Sequence, residues 1–148
     1  MNGNGTGEGT GALEGAVVAV AGAAGPAGRA TLLRLAEAGA TVVGCDANPE
    51  RLAEAVDAAR YAHGGATVTG ETVDLLDLDA TRDWAKRTEA EFGRIDGLVH
   101  LVGGWRGSKS FQETVLSDWD ALEKLLIRTV QSTTLAFQEA LERSDKGR

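Results

Sequence analysis

The chain has 148 residues, 43% of them hydrophobic, a formal net charge of −7 and one cysteine, Cys45. That length suits a single domain able to bury about 70% of the surface its unfolded chain exposes. The negative charge, dispersed rather than gathered in a tail, argues against nucleic acid and anionic membrane surfaces as partners, and a lone cysteine excludes a disulfide framework or a structural zinc site, so a reducing, cytoplasmic setting is the default.

Residues 1–14 carry glycine at 3, 5, 7, 9 and 11 with no basic cluster, and are expected to be a flexible Gly-rich arm. No run approaches the roughly 18 apolar residues of a transmembrane helix. Residues 15–148 then form the domain. Its first apolar run, Ala16 to Ala21, reads as a buried strand that feeds a turn carrying Gly22, Gly25 and Gly28. Glycines at that spacing permit tight bends and let backbone approach a pyrophosphate, while the N-terminus of the next helix points at the anion. Pro26 falls near the first helical position, where its fixed φ is favourable; it cannot donate to a phosphate, so the flanking amides, with Ala27 among them, must. Leu32, Leu33, Leu35 and Ala36 form the packing face of this helix, and Gly39 closes it.

The second strand, Thr41 to Cys45, ends at Asp46, eighteen residues past Gly28, where a carboxylate can accept from both hydroxyls of an adenosine ribose. Cys45 reads as a buried strand residue. Asn48, Pro49 and Glu50 start a helix as cap, first residue and dipole partner, and the helix runs to about Tyr61. Thr67 to Val73 is a third strand ending at Asp74; Asp79 is expected to cap a third helix that continues to about Phe92; Gly97 to Val102 is a fourth strand.

Strand alternating with helix four times predicts a three-layer α/β fold of Rossmann type, a parallel sheet in the order 3-2-1-4. Gly22, Asp46, Asp74 and Gly103 then all fall at carboxyl ends of strands, where the cofactor crevice opens. A loop at the same edge, Gly103 to Lys109, offers Arg106 and Lys109 to a cofactor phosphate or a substrate carboxylate. Ser117 and Asp120 resemble a capping box for a last helix from Asp118 to about Arg143, with Trp119, Leu122, Leu126, Val130, Phe137 and Leu141 as a core or subunit-interface stripe.

From Ala16 to about Arg143 the chain resembles the short-chain dehydrogenase/reductase family. The family's phosphate loop commonly reads TGxxxGxG; here Ala21 stands for the threonine and Pro26 for the middle glycine, a spacing nearer the extended and atypical branches. VDLLD (73–77) looks like the segment whose aspartate contacts adenine, which implicates Asp74 and Leu75. FGRIDGLVHLVGG (92–104) looks like the run ending in NNAG, with His100, Leu101, Val102 and Gly103 in those places. By this resemblance the cofactor is NAD, since Asp46 repels a 2′-phosphate; Arg29 could turn toward one, and Ala27 occupies the place where a basic residue would signal NADP. The implied cofactor-binding residues are Gly22, Gly25, Pro26, Ala27, Gly28, Asp46, Asp74, Leu75, Val102 and Gly103.

The family's hydride transfer uses a serine, and a tyrosine lowered in pKa by a lysine four residues on. The one tyrosine here, Tyr61, is followed four residues later by Gly65, and the asparagine of the family's last helix is replaced in the run Leu125-Leu126-Ile127-Arg128. Arg128 could substitute for it or be a solvated helix arginine. His63 and His100 lack zinc spacing and read as structural or surface residues, and Ser108 and Ser110 have no marked base. Lys146-Gly147-Arg148 stands where the fifth strand would begin, so the resemblance implies the cofactor-binding part of a dehydrogenase without its Ser/Tyr/Lys set. The alternative is a non-catalytic NAD-binding or oligomerisation module. Strand 4 would be an unpaired edge and the last helix would expose apolar surface, which predicts a homo-oligomer or a complementing C-terminal half as partner.

Overall fold

The computed structural model of the protein describes residues 11–148. The two central runs become strands because they are short, rich in valine or alanine and buried on both faces, while the flanking strands, VTGET and GLVH, are only partly buried. The strands are β1 (Val17–Ala21), β2 (Thr41–Asp46), β3 (Val68–Thr72) and β4 (Gly97–His100), all parallel, in the order β3-β2-β1-β4. In register, Ala21 stands opposite Cys45 on one side and His100 on the other.

Alternation along the strands divides the core into two layers. Val18, Val20 and Val42 pack with Leu32 and Ala36 of α1 (Pro26–Glu37) and with Leu52, Ala55, Val56 and Ala59 of α2 (Pro49–Ala62). Ala19, Ala21, Val43 and Cys45 face the other way, onto Trp84 and Ala85 of α3 (Leu78–Phe92) and Phe137 of α5 (Thr129–Arg143). The Trp84 and Phe137 rings meet edge to face at 4.8 Å and centre this second layer.

The amino-terminal edge of the sheet is closed by one carboxylate. Asp96 accepts from the Val17 amide at 2.9 Å, from Ser144 Oγ at 2.5 Å and from the Arg94 guanidinium at 2.6 to 2.9 Å. Burial alone would raise its carboxyl pKa, but Arg94, Ser144 and the Val17 amide outweigh it and hold the group down at about 2. Beside it, the Arg148 amide donates to the Asp96 carbonyl and the Leu98 amide to the Arg148 carbonyl, both at 3.0 Å. This alternation is the first rung of a parallel ladder on the free side of β4.

Four expectations are adjusted. The cap of α3 is Asp77, whose Oδ1 accepts from the Asp79 and Ala80 amides at 3.0 Å each; Asp79 sits in the first turn, because helix geometry already begins at Leu78. β4 ends at His100 rather than Val102: Leu101 still donates to the Ala21 carbonyl at 2.8 Å, but beyond Ala21 the neighbouring strand turns away and no ladder remains. The last helical region starts earlier, as α4 (Leu116–Glu123), with Val115 at the cap and Ser117 already helical, so no capping box forms.

A π-helical turn, Lys124–Arg128, then joins α4 to α5. Its extra residue rotates the downstream face by about 100°. The buried face of α5 therefore runs Thr129, Ser132, Thr133, Phe137 and Ala140. Of the expected stripe only Phe137 is fully buried, while Trp119, Leu126 and Val130 are exposed. Most of the expected N-terminal arm lies outside the described residues; within residues 11–15, the Leu13 amide donates to the Ala38 carbonyl at 2.9 Å.

Candidate functional site

The turn after β1 is shaped by two close approaches. Gly22 has φ +81°, and a Cβ there would lie 2.8 Å from backbone atoms of Leu101 and Val102; a Cβ on Gly28 would lie 2.1 Å from the Gly22 carbonyl oxygen. Neither position admits a side chain. Gly25 differs: a Cβ would meet only the Gly22 oxygen, at an ordinary 3.6 Å, so its bareness serves open space rather than packing. Gly25 caps α1 and Pro26 follows as its first residue; the first helical bond runs from the Arg29 amide to the Gly25 carbonyl at 2.9 Å. Among the described residues the Ala27 and Gly28 amides have no acceptor, and the first turn of α1 has no acidic side chain. Two free donors at the positive end of a 12-residue helix suit an anion.

Asp46 closes the site from β2. Its Oδ2 accepts from the Ala24 amide at 3.0 Å and its Oδ1 from the Asn48 amide at 3.1 Å, leaving lone pairs on both oxygens. The Gly22 and Ala23 amides both donate to the Cys45 carbonyl at 2.9 Å, so the turn is stitched to the end of β2. The Cys45 thiol itself is buried, and desolvation pushes its pKa far up, which removes it as a nucleophile. Asp74, beyond β3, has one oxygen on the Leu76 amide at 2.9 Å.

A crevice of about 350 Å³ opens at these carboxyl ends. Gly22, Gly25, Asp46, Asp74, Leu75, Val102 and Gly103 all line it, from four different connections of the sheet. Pro26, Ala27 and Gly28 do not; they lie in the first turn of α1 beside it. Of the eight further wall residues, four belong to parts of the site that sequence reasoning missed. Ala24 belongs to the glycine turn itself, Arg51 sits in the first turn of α2, Leu125 lies within the π turn and Thr129 directly follows it. The spacing Asp46-x-x-x-x-Arg51 was legible, but the π turn left no local signal.

The loop cations do not converge. Arg106 and Lys109 are exposed and outside the crevice, and Ser108 Oγ donates to the Glu113 carbonyl at 2.8 Å. Arg128 pairs with Glu123 on the surface at 3.1 Å, the solvated reading. Tyr61 is 93% exposed on α2, away from the crevice. Arg29 is committed elsewhere: its Nε donates to the Ala24 carbonyl, and its Nη2 to the Arg51 carbonyl and to Glu54 Oε2, all at 3.1 Å.

His100 is structural. Its Nδ1 lies 3.0 Å from Thr133 Oγ1 and its Nε2 3.3 Å from Thr129 Oγ1. Thr129 spends its hydroxyl hydrogen on the Leu125 carbonyl at 2.6 Å, so it can only accept from the ring, which assigns the proton to Nε2. Burial lowers the His100 pKa, keeping the ring neutral at pH 7. The pair ties β4 to the wall of the crevice that carries Thr129 and Leu125.

Among the described residues no helix is long and apolar enough to cross a membrane. The chain matches the family model described as short chain dehydrogenase over residues 16–148. It is 32% identical over 122 residues to the 3-oxoacyl-(acyl-carrier-protein) reductase FabG of Thermotoga maritima, covering 82% of this chain and 48% of that protein. It is 38% identical over 109 residues to the D-threitol dehydrogenase of Mycolicibacterium smegmatis, covering 74% and 41%. Among solved structures, an NAD+-bound xylitol dehydrogenase superposes with a TM-score of 0.81 at 26% identity, over 87% of this chain and 49% of that one. The chain thus spans about half the length of the relatives it matches. With the glycine turn, the 3-2-1-4 sheet and the family match agreeing, this chain belongs to the short-chain dehydrogenase/reductase family.

Proposed function

We propose that the chain is the NAD-binding part of an NAD(P)-dependent short-chain oxidoreductase. The observation that carries this is the bare Gly25 position beside two unpaired amides, Ala27 and Gly28, with the Asp46 carboxylate across the same crevice. The amides take the pyrophosphate, and Asp46 takes the ribose hydroxyls. A 2′-phosphate there would face a like charge, so NAD is preferred over NADP. Asp74 and Leu75 bound the adenine side, and Val102 and Gly103 the path toward the nicotinamide. Bound nicotinamide supplies the hydride chemistry; this chain's own residues bind and orient it. Substrate activation needs a proton donor, a role Tyr61 cannot fill from the far side of α2.

Titration of the purified chain with NADH and NADPH tests the reading. Tighter binding of NADH is expected; equal affinity removes the discriminating role of Asp46, and no binding of either removes the dinucleotide site. The chain alone is expected to reduce no carbonyl substrate, and a complementing C-terminal half to supply the Ser/Tyr/Lys set.

A second reading, a non-catalytic NAD-binding module that assembles through its last helices, draws on the exposed Trp119, Leu126, Ile127 and Leu135. Both readings expect self-association or a complementing half, and light scattering showing a stable monomer would count against both. They separate on the gene: a reading frame that continues past Arg148 into a segment with a serine and YxxxK eliminates the module.

A further inference from the structure

Ala24, between Gly22 and Gly25, is held on both sides by charged groups. Its amide donates to Asp46 Oδ2 at 3.0 Å, and its carbonyl accepts from Arg29 Nε at 3.1 Å. The same guanidinium reaches across to the first turns of α2, donating through Nη2 to the Arg51 carbonyl and to Glu54 Oε2. Arg29 is thus bonded at once to the glycine turn, which faces the pyrophosphate, and to the turn of α2 that brings Arg51 to the wall of the crevice. Its side chain is only 35% exposed, whereas Glu54 is 69% exposed, and the bond to the Ala24 carbonyl is better shielded from water than the ion pair.

We propose that Arg29 is a positioning residue for the dinucleotide: a strap that fixes the glycine turn against α2 and so presets the amides of Ala27 and Gly28 before the cofactor arrives. The inference rests on the dinucleotide reading above and deepens it. A guanidinium suits this role because its planar fork can serve two carbonyls from fixed directions, which an ammonium on a flexible stem does less well. The physical gain is preorganisation: a turn already held in its binding geometry loses less conformational freedom when the anion docks. All three Arg29 bonds go to groups of the protein itself. Removal of Arg29 should weaken NADH and NADPH alike.

The test uses the full chain and three variants, Arg29→Met, Arg29→Lys and Glu54→Gln, at 10 °C with folding checked by circular dichroism. NADH and NADPH affinities are read by fluorescence titration, and the Ala24 amide by hydrogen exchange. For Arg29→Met we expect both affinities to fall five- to tenfold and Ala24 exchange to quicken at least tenfold, with Arg29→Lys intermediate and Glu54→Gln within twofold of the natural chain. If Arg29→Met does not fold, Arg29→Lys is read against the same criteria. Quickened exchange with affinities within twofold overturns the proposal in favour of a purely structural strap. Loss confined to NADPH, or weakened binding with unchanged exchange, overturns it in favour of direct contact. Failure of the natural chain to bind NADH removes the dinucleotide reading and this inference with it, whereas equal binding by the natural chain and Arg29→Met removes this inference alone.

Discussion

The two walls of the crevice are built differently. On the side of Asp46, β1, the glycine turn, β2 and α2 bond one another through Asp46, the Cys45 carbonyl and Arg29, and the buried residues of α1 and α2 lie against the strands. On the other side, the chain leaves β4 at His100 and passes through an exposed loop. It returns as α4 and a π turn, in neither of which any residue is fully buried. Trp105, Phe111 and Leu116 are each more than three-quarters exposed there. The first wall is finished, bonded and packed throughout, whereas the other presents exposed apolar groups.

Substitutions can break or sharpen that contrast. Gly28→Ala should have the largest effect, because its Cβ would sit 2.1 Å from a carbonyl oxygen of the turn and the backbone must move; we expect a loss of about 3 kcal/mol in urea melts together with loss of NADH binding.

Asp96 comes next, since it ties β1 to the loop before β4 and to Ser144. Its folded-state pKa is depressed from 3.8 to about 2. The stability it contributes is therefore complete above about pH 4 and is lost as pH falls toward 2, a change of about 2 kcal/mol. Acid unfolding monitored by circular dichroism should show it, and Asp96→Asn should flatten that limb. NADH affinity at neutral pH should be nearly unchanged in Asp96→Asn wherever the chain remains folded, because the clamp lies at the opposite edge of the sheet.

Asp46→Asn acts on the finished wall itself: NADH affinity should drop about tenfold, or about 1.4 kcal/mol, while NADPH falls less or gains, as read by paired titrations. The smallest effect belongs to His100. Its pKa is lowered in the folded state, so its contribution is present above the ordinary histidine pKa near 6.5 and is lost as pH falls through the lower folded value. A shallow loss of stability on that acid side, absent in His100→Gln, would confirm that β4 is tied to α5 through a neutral ring.

Much of the finished wall was legible beforehand. Gly22 and Gly28 announce themselves because their backbone demands are local, and Asp46 because a carboxylate at a strand end has few structural uses. Seven of the ten expected binding residues line the crevice, since strand ends of a parallel sheet converge whatever the details of packing. The open wall was read less well. The capping box at Ser117 failed because the chain is already helical there, and the stripe from Trp119 to Leu141 split because a π turn shifts the period by one residue.

By itself the sequence determined the order of the strands, the glycine turn and the acidic residue facing it, since apolar periodicity and glycine's conformational freedom act over a few residues at a time. The tertiary structure alone decided which carbonyls the Arg29 guanidinium bonds, that Leu125 and Thr129 join the wall, and that Asp96 clamps the far edge. Those outcomes depend on partners as far as 79 residues away in the chain. A long side chain's bonds are set by what packing brings within about 3 Å of it, and no local pattern encodes that.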